Sequence, residues 1–488
     1  MSAQWLITGA LAIPLIGAAL IACLHRLPNA REAATLSTAG ALLLCVVALT
    51  PEVLAGGRPL LSLLEIMPGL ELRFEVEPLG MLFALIAAAL WIVNSIYSIG
   101  YMRANGEQHQ TRFYVCFAGA IASTIGIAFA GNLLTLFVFY EVLTLITYPL
   151  VTHAGTPEAR RSGRIYLGVL VGTSVTLLLF AIAWTYVLAG TLDFQPGGIL
   201  TGRTGEGLMA VLLALYVFGI GKAAVMPMHR WLPAAMVAPT PVSALLHAVA
   251  VVKAGVFCVV KVMVYILGID NLAALGSATW LPFVAGFTIL AASVVALRSD
   301  NLKRRLAYST VSQLSYVVLA TALLAPLSVL GATVHIAAHA VSKITLFFAA
   351  GAVYTAAHKT EVSQLDGIGR RMPVTMISFT IGALSLIGVP PAIGFLSKWF
   401  MLQGAVQSGA YLSLGVILIS TLLNAAYFLP IVYAAFFRAT SDDGTHGDHG
   451  EAPWPMVLAL GLTASATIAL FFFVDPILEL ARQVAMST

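Results

Sequence analysis

Six charged residues lie deep inside long apolar runs of this 488-residue chain. They are Glu141, Lys222, Lys253, Lys261, Lys343 and Lys398. A charge at the centre of a bilayer costs about 2.5–3.5 kcal/mol even on lenient insertion scales, so such residues usually face a polar interior and carry function. A buried lysine can release its proton, whereas arginine keeps its proton at any accessible pH. Because these runs contain lysine and no arginine, the pattern predicts proton transfer.

Glu141 lies about a third of the way into the run NLLTLFVFYEVLTLITYPLVTH. A lone buried carboxyl group would be neutral unless it met a cation, and Lys222 or another buried lysine is the obvious partner. Separating such a pair would favour release of the lysine proton. The residue types therefore predict an electrostatic switch, with Glu141 acting on Lys222 or serving as the contact to a neighbouring subunit.

Histidines extend this pattern in the run GATVHIAAHAVSKITLFF, where His335, His339 and Lys343 are spaced four residues apart. That spacing places them on one helical face. Imidazole titrates near neutral pH, so the stripe predicts a proton relay, the alternative being three polar residues that satisfy one another in a bundle core. Two histidines on one helix cannot bracket a haem iron. His247 and Lys261 are accessory candidates, and Lys261 has the alternative of snorkelling to the membrane interface.

Two apolar runs contain helix breakers beside a buried lysine. LYVFGIGKAAVMPMHRWLP places Lys222 before Pro227, and LSLIGVPPAIGFLSKWF places Pro390 and Pro391 before Lys398. Proline removes a helix hydrogen bond, and interrupted helices at membrane depth are tolerated where the freed backbone lines a polar cavity. Broken helices at corresponding positions of two halves are typical of inverted-repeat transporters with a site near the midplane.

The elements that hold these residues are predicted from composition. Only 9% of the residues are charged, 60% are hydrophobic and the mean hydropathy is +0.95. An average soluble domain has about 25% charged residues, so a soluble enzyme and a disordered chain are both excluded. The four cysteines form no CxxC pair, which predicts neither a disulfide framework nor a metal centre. We expect an all-α polytopic membrane protein with about 14 transmembrane helices, and neither a cofactor nor a catalytic centre of its own.

Fourteen apolar runs are long enough to be predicted spans. Their limits are 5–24, 33–54, 78–101, 112–130, 132–153, 164–189, 207–227, 240–267, 276–298, 305–324, 326–356, 372–400, 407–437 and 453–473. The predicted domains are a three-helix region at 1–111, inverted five-helix repeats at 112–267 and 268–437, and a loop with helix 14 at 438–488. The alternation in LELRFEVE predicts a short hairpin within 55–77, and 439–452 is predicted to be a solvated loop.

Basic residues are distributed unevenly between the two alternating sets of loops. One set holds only four, and these are Arg58, Arg73, Arg203 and Arg482. Cytoplasmic loops carry the excess of lysine and arginine, so both termini are predicted to lie on the outer face.

Four blocks of the sequence resemble the antiporter-like membrane subunits, which include the proton-pumping L, M and N subunits of respiratory complex I and the A and D subunits of Mrp-type sodium/proton antiporters. The blocks are GNLLTLFVFYEVLTLITYPLV, GKAAVMPMHRWLPAAMVAPTPVSALLHAVAVVKAGVF, LKRRLAYSTVSQLSY and IGVPPAIGFLSKW. The resemblance implies a fourteen-helix core with two inverted five-helix repeats and breaks in spans 7 and 12. It also implies that Glu141 pairs with Lys222. The polar axis that it implies contains Glu141, Lys222, Lys253, His335, His339, Lys343 and Lys398.

The length and the loop EARRSGRIY resemble the Mrp D subunit most closely. This resemblance implies a proton-translocating subunit of a multi-subunit sodium/proton antiporter in a bacterial or archaeal cytoplasmic membrane. Its expected partners are other membrane subunits, the lipid bilayer and H⁺, with Na⁺ at the level of the complex and no nucleic acid. One buried carboxylate makes a poor sodium site, so the sodium path is expected in a partner. The alternatives are a proton-pumping subunit of a complex I-like or membrane-hydrogenase complex, a membrane subunit of an inorganic-carbon uptake system, and a self-sufficient solute carrier.

Overall fold

The computed structural model describes residues 2–67, 70–439 and 450–487. Most of the predicted solvated loop at 439–452 therefore lies outside the described residues. The longer helices are α1 (Ala3–Cys23), α2 (Pro28–Leu54), α3 (Pro78–Ala104), α4 (Gln110–Ala128), α5 (Leu133–Val151), α6 (Pro157–Ala189), α7 (Glu206–Gly219), α8 (Thr240–Leu267), α9 (Leu281–Arg298), α10 (Leu302–Ala322), α11 (Pro326–Ala357), α12 (Pro373–Ile387), α13 (Ile393–Gln407), α14 (Tyr411–Phe437), α15 (Trp454–Phe472) and α16 (Asp475–Met486), and short helical turns lie at Trp231–Ala234, Ile269–Leu275 and Ile368–Arg371.

Local sequence signals set where several helices begin. The Asn132 side chain accepts a hydrogen bond from the Thr135 amide at 2.8 Å and caps α5. Asn301 caps α10 in the same way, and proline occupies the first turn of α3 and α11. These residues satisfy or avoid amide groups that have no partner within the helix, so the chain enters each helix at a defined residue.

Eleven helices in the described part of the chain are long and apolar enough to cross a membrane. The apolar helices α7 and α12 are shorter because each ends at a break, and α10 is long but more polar. The all-helical membrane fold is thus confirmed, while the count of fourteen, the inverted repeats and the domain boundaries stay predictions. The terminal helix α16, which follows α15 after Val474, was not predicted as a separate element.

The predicted hairpin is confirmed before α3. Strands β1 (Leu60–Met67) and β2 (Leu70–Glu75) pair antiparallel, with Leu60 opposite Glu75. The alternation in the sequence suits a strand with two unlike faces, and the chain passes from β2 directly into α3. The hairpin therefore fixes one end of α3, and we call this side of the molecule the hairpin face.

Helices α8 and α11 form the centre of the bundle. The most apolar stretch of each is buried throughout, and α11 packs against α3, α8, α10, α12, α13 and α15. Peripheral helices instead expose large apolar side chains such as Leu44, Val187 and Leu422, each at least 72% exposed, which suits a surface that faces lipid. A polar site inside the bundle must therefore be built around α8 and α11.

Both predicted helix breaks are confirmed. The first follows Gly219, where a single 3₁₀ turn at Gly221–Ala223 contains Lys222 and leads towards Pro227. The second separates α12 from α13, with Gly388 at a φ of +96° just before Pro390 and Pro391. A positive φ of this kind is accessible to glycine at low cost, so the chain can leave α12 sharply at this point.

Candidate functional site

Lys222 lies in the first helix break and its ammonium group points to α5. Its Nζ donates hydrogen bonds to the carbonyl oxygen of Tyr140 at 2.7 Å and to Thr144 Oγ1 at 2.6 Å. The same nitrogen lies 3.1 Å from the centroid of the Tyr140 ring. The residue is fully buried. The charge is therefore held by neutral oxygens and by an aromatic face, which attracts a desolvated cation.

Glu141 does not form the direct ion pair with Lys222 that the resemblance implies. No ion pair within 4.0 Å joins the two among the described side chains, and Glu141 Oε1 is buried without a hydrogen-bond partner. Tyr140 and Thr144 supply the groups that meet the break, whereas Glu141 is rotated about 100° around α5 from Tyr140. Glu141 is partly exposed on the side of the bundle.

Close packing holds the first break against α8. A Cβ atom on Gly255 would lie 2.3 Å from the carbonyl carbon of Lys222 and from the amide nitrogen of Ala223. The Trp231 indole donates a hydrogen bond to the freed carbonyl oxygen of Gly221 at 3.0 Å. The missing side chain at Gly255 thus lets α8 touch the break, and Trp231 satisfies its backbone.

Lys253 and His339 connect α8 with α11. A hydrogen bond joins Lys253 Nζ to His339 Nδ1, and both side chains are almost completely buried. His335, one turn before His339, bonds through Nδ1 to Ser397 Oγ of α13 at 2.9 Å, and the two imidazole centroids are 6.0 Å apart. The Nε2 atoms of both histidines have no hydrogen-bond partner among the described residues.

Lys343 completes the predicted stripe on α11 but turns towards a different helix. Its Nζ donates to Ser309 Oγ at 2.9 Å and to the Leu306 carbonyl oxygen at 3.3 Å, both on α10. The Tyr427 hydroxyl of α14 donates to the same serine at 3.1 Å. The three side chains of the stripe therefore bond to three different helices, which are α8, α10 and α13. Within the stripe, the two imidazole rings lie next to each other.

Lys398 lies just beyond the second break and supports it. Its Nζ donates to the Ile387 carbonyl oxygen at the end of α12 at 3.0 Å, and to Thr421 Oγ1 at 3.3 Å. The nitrogen is 5.1 Å from the centroid of the Tyr316 ring. Both breaks thus place a buried lysine against carbonyl oxygen and an aromatic ring.

The two accessory candidates differ from each other. His247 is buried in the π-helical turn Leu245–Val249 of α8, and neither of its ring nitrogens has a hydrogen-bond partner in the part of the chain that the structure describes. Lys261 does not snorkel to the interface. It is fully buried and forms an ion pair with Glu77 at 3.0 Å, because Glu77 is brought under the hairpin at the start of α3.

Several site residues were not predicted from the sequence. Glu77 was predicted to belong to the hairpin segment 55–77 before α3. Its position immediately before Pro78, where an apolar run begins, was nevertheless a signal for a buried carboxylate. Gln313 lies inside α10 in the block LKRRLAYSTVSQLSY and is fully buried, with neither amide atom bonded among the described residues. The acceptors Thr144 and Ser309 carry no sequence signal of their own.

A polar cavity of about 290 Å³ lies beside α8 and α11, on the side opposite the hairpin face. Its lining includes Tyr101, Glu107, Thr240, Lys303 and Tyr354. Burial raises the pKa of the Glu107 carboxyl group, which lies in the loop between α3 and α4. The cavity brings titratable groups to the ends of the two central helices.

A bundle of long apolar helices with five buried lysines in its interior defines a multi-pass membrane protein. The chain belongs to the NADH:quinone oxidoreductase/Mrp antiporter transmembrane family, whose pattern matches residues 130–424. This confirms the resemblance stated from the four sequence blocks.

Curated relatives come from different kinds of complex. The chain is 31% identical over 406 residues to NADH-quinone oxidoreductase subunit N of Desulforudis audaxviator, covering 82% of this chain and 79% of that protein. It is 28% identical to F(420)H(2) dehydrogenase subunit N of Methanosarcina mazei, covering 84% of each. It is also 28% identical to the A/B subunit of a probable K(+)/H(+) antiporter of Rhizobium meliloti, where it covers 84% of this chain and 41% of the longer relative.

Solved structures share the fold over nearly the whole chain. A chain of the Mrp complex from Dietzia sp. superposes with a TM-score of 0.85 at 22% identity, covering 99% of this chain and 97% of the other. A chain of the archaeal membrane-bound sulfane sulfur reductase superposes with a TM-score of 0.86 at 23% identity and the same coverage. These likenesses establish the fold of a subunit from multi-subunit membrane complexes.

Proposed function

We propose that this chain is the proton-translocating subunit of a multi-subunit antiporter that exchanges a monovalent cation for protons. The observation that carries the proposal is the Lys253–His339 contact at the centre of the bundle. It joins two titratable groups in the interior of a membrane protein, where ionisable residues typically mark an ion or proton path.

The proposed path follows the buried titratable groups. Protons enter from one face and load Lys222 and Lys253. They then pass through His339, His335 and Lys343 and leave by way of Lys398. The polar cavity at Glu107 supports an aqueous approach on the side opposite the hairpin face. The hydroxyl groups bonded to Lys222, Lys343 and Lys398 can exchange protons, because each hydroxyl both donates and accepts.

Glu141 is proposed to couple this path to a neighbouring subunit. Its partly exposed position on α5 allows a partner to approach the carboxylate, and the same helix carries Tyr140 and Thr144, which accept hydrogen bonds from Lys222. A cation on the partner that neutralised the Glu141 carboxylate would remove the negative charge that stabilises protonated Lys222. The lysine would then lose its proton more readily. This arrangement provides the switch that the residue types predict.

The counter-ion is proposed to be Na⁺ or K⁺, bound largely by partner subunits. The relative in Rhizobium meliloti is described as belonging to a probable K(+)/H(+) antiporter, which supports a monovalent cation at the level of the complex. Cations of this kind are bound by several oxygens, including backbone carbonyls and carboxylates. We place the complex in a bacterial or archaeal cytoplasmic membrane with the termini outside, following the distribution of basic residues between loops.

The test is transport by the assembled complex in everted membrane vesicles. Lys222→Met and Lys253→Met remove the titratable group at nearly constant size. We expect each to reduce cation-dependent dissipation of the pH gradient at least tenfold while the complex still assembles. Arg26→Gln, in the exposed loop before α2, is the matched control and should transport at the wild-type rate. Wild-type transport by both lysine variants would contradict the proposal.

A second candidate is a proton-pumping subunit of a redox-driven complex. The observation that favours it is the 31% identity to an NADH-quinone oxidoreductase subunit N over 82% of this chain. In that case the electrons would be handled by partner subunits. Mass-spectrometric identification of the purified complex separates the two candidates, because iron–sulfur or flavin subunits would be present only in the redox complex.

A further inference from the structure

Glu77 and Lys261 form a buried ion pair that the proposed path does not use. The Lys261 Nζ lies 3.0 Å from Glu77 Oε1 and donates a hydrogen bond to the Ala130 carbonyl oxygen at 2.7 Å. Lys261 is fully buried and Glu77 is 5% exposed. Removing both charges from water opposes burial of the pair, so a pair in this position needs an explanation.

The surroundings of the pair are poor in compensating contacts. The Lys261 nitrogen lies 4.4 Å from the centroid of the Phe194 ring and 5.3 Å from that of Phe257. The buried Tyr265 hydroxyl lies beside the Glu77 carboxylate, but neither carboxylate oxygen accepts a well-aligned hydrogen bond from the described residues. A pair that serves stability alone would be expected to have its remaining lone pairs satisfied. Charge is the main contact between these two groups, and a proton transfer between them would remove both charges.

On its inner side the pair continues the line of titratable groups along α8. Lys261 is eight residues after Lys253, which corresponds to about 12 Å along a helix. Lys261 bonds to Ala130, and Ala130 in turn bridges to Phe74 of the hairpin. The pair therefore lies at the end of α8 nearest the hairpin face, on the same helix as Lys253, one of the two lysines at which the proposed path begins.

On its outer side the pair is two residues from groups that reach solvent. Glu77 lies two residues after the end of β2, and Glu75 at the end of that strand pairs with Arg73 at 3.1 Å. Arg73 also pairs with Asp193 at 3.1 Å. These three side chains are 23–37% exposed. A carboxyl group at Glu77 is thus separated from the solvated hairpin face by a short, charged segment.

We propose that the Glu77–Lys261 pair is a proton-transfer station connecting the buried lysines to the hairpin face, an inference that rests on the proposed function. In one transfer, the Lys261 ammonium passes a proton inwards to an unprotonated Lys253 further along α8, which leaves a neutral amine beside the Glu77 carboxylate. The carboxylate then takes a proton from water at the hairpin face and gives it to the Lys261 amine, so the pair returns to its charged state.

Two variants distinguish transfer from a structural role. Lys261→Arg keeps the cation opposite Glu77 but cannot release its proton. The double variant Glu77→Gln/Lys261→Gln removes both charges together and leaves no unpaired charge behind. In complexes that assemble at wild-type levels, we expect either variant to lower proton transport in everted vesicles at least tenfold. A structural pair would instead tolerate both changes with wild-type transport.

Two further variants make every outcome informative. Glu77→Asp shortens the carboxylate by one methylene and keeps its charge, so it should assemble even where larger changes prevent folding, and transport should fall severalfold. Lys222→Met reports on the proposed function itself. Inactive Lys222→Met combined with wild-type transport by Glu77→Asp, or by an assembled Lys261→Arg or double variant, overturns the station alone. Wild-type transport by Lys222→Met overturns the proposed function on which the station rests.

Discussion

Lys253 of α8 shares a hydrogen bond with His339 of α11, and this contact joins the two central helices of the bundle. The bond can hold one proton in either of two ways. The ammonium can donate to an unprotonated Nδ1, or a protonated Nδ1 can donate to a neutral amine. Because the contact survives both states, the pair can change the location of its proton without losing the bridge between α8 and α11.

This bridge predicts that Lys253 and His339 act as one unit. Lys253→Met and His339→Gln should each reduce transport at least tenfold, and the double variant should be no slower than the more severe single variant. Residues that act together are strongly non-additive, whereas independent residues multiply their effects. Initial rates in everted vesicles, normalised to assembled complex, measure the coupling. Multiplicative losses would show that the two side chains work separately.

The aromatic ring beneath Lys222 predicts a graded response at Tyr140. The ring centroid is 3.1 Å from the ammonium nitrogen, and the hydroxyl accepts a hydrogen bond from the Lys222 amide at 3.2 Å. Tyr140→Phe removes the hydroxyl alone, while Tyr140→Leu also removes the aromatic face. A desolvated cation–π contact is worth about 2 kcal/mol, so the leucine variant should disturb the protonated lysine far more.

Transport rates of the two variants, compared at equal amounts of complex, test this prediction. We expect Tyr140→Leu to be several times slower than Tyr140→Phe. Equal rates would mean that the carbonyl oxygen and Thr144 alone hold the charge.

Features that depend on neighbours in sequence were predictable. The breaks beside Lys222 and Lys398 followed from Pro227, Pro390 and Pro391, because proline and glycine act on the backbone where they stand. The hairpin followed from the alternation in LELRFEVE, and the long helices from their apolar runs. The family assignment followed from contiguous blocks that keep their residue order.

Contacts between distant residues were less predictable. Lys261 was expected either to serve the axis or to snorkel, and its partner Glu77 lies 184 positions earlier in the chain. The resemblance implied a direct ion pair between Glu141 and Lys222. The Lys222 ammonium group instead donates its hydrogen bonds to the Tyr140 carbonyl oxygen and to Thr144. Such choices depend on how helices rotate against one another, and hydropathy along the sequence carries little information on rotation.

The contact between α8 and the first break predicts that Gly255 tolerates no side chain. A Cβ atom at this position would lie 2.3 Å from backbone atoms of Lys222 and Ala223, so α8 or the break would have to move. Overpacking of a close-packed interior typically costs about 1–3 kcal/mol. Gly255→Ala should therefore lower the melting temperature and slow transport by displacing Lys222.

The matched control is Gly168→Ala on α6, where an added Cβ meets nothing within 4 Å. It should leave melting temperature and transport unchanged or slightly raise the former, since alanine favours helix. If Gly255→Ala behaved like the control, the close approach of α8 to the break would not matter for function.

A loop histidine predicts how stability depends on pH. Burial, together with nearby Arg112, lowers the pKa of His153 to about 4, and Glu107 at 3.7 Å does not offset this. The unfolded histidine titrates near 6.5, so between pH 6.5 and 4 the unfolded chain binds a proton that the folded chain does not. The contribution of His153 to the free energy of unfolding is thus fully present above pH 6.5 and is lost as the pH falls towards 4.

Melting temperatures of wild type and His153→Gln at pH 7.5 and 5 test this sign. Glutamine does not titrate, so the variant should lose less stability between the two pH values, by on the order of 2 °C in melting temperature. His358→Gln, an exposed loop histidine after α11, is the control and should follow the wild type. A wild type that is no more acid-sensitive than His153→Gln would show that His153 takes up its proton equally in the folded and unfolded chains.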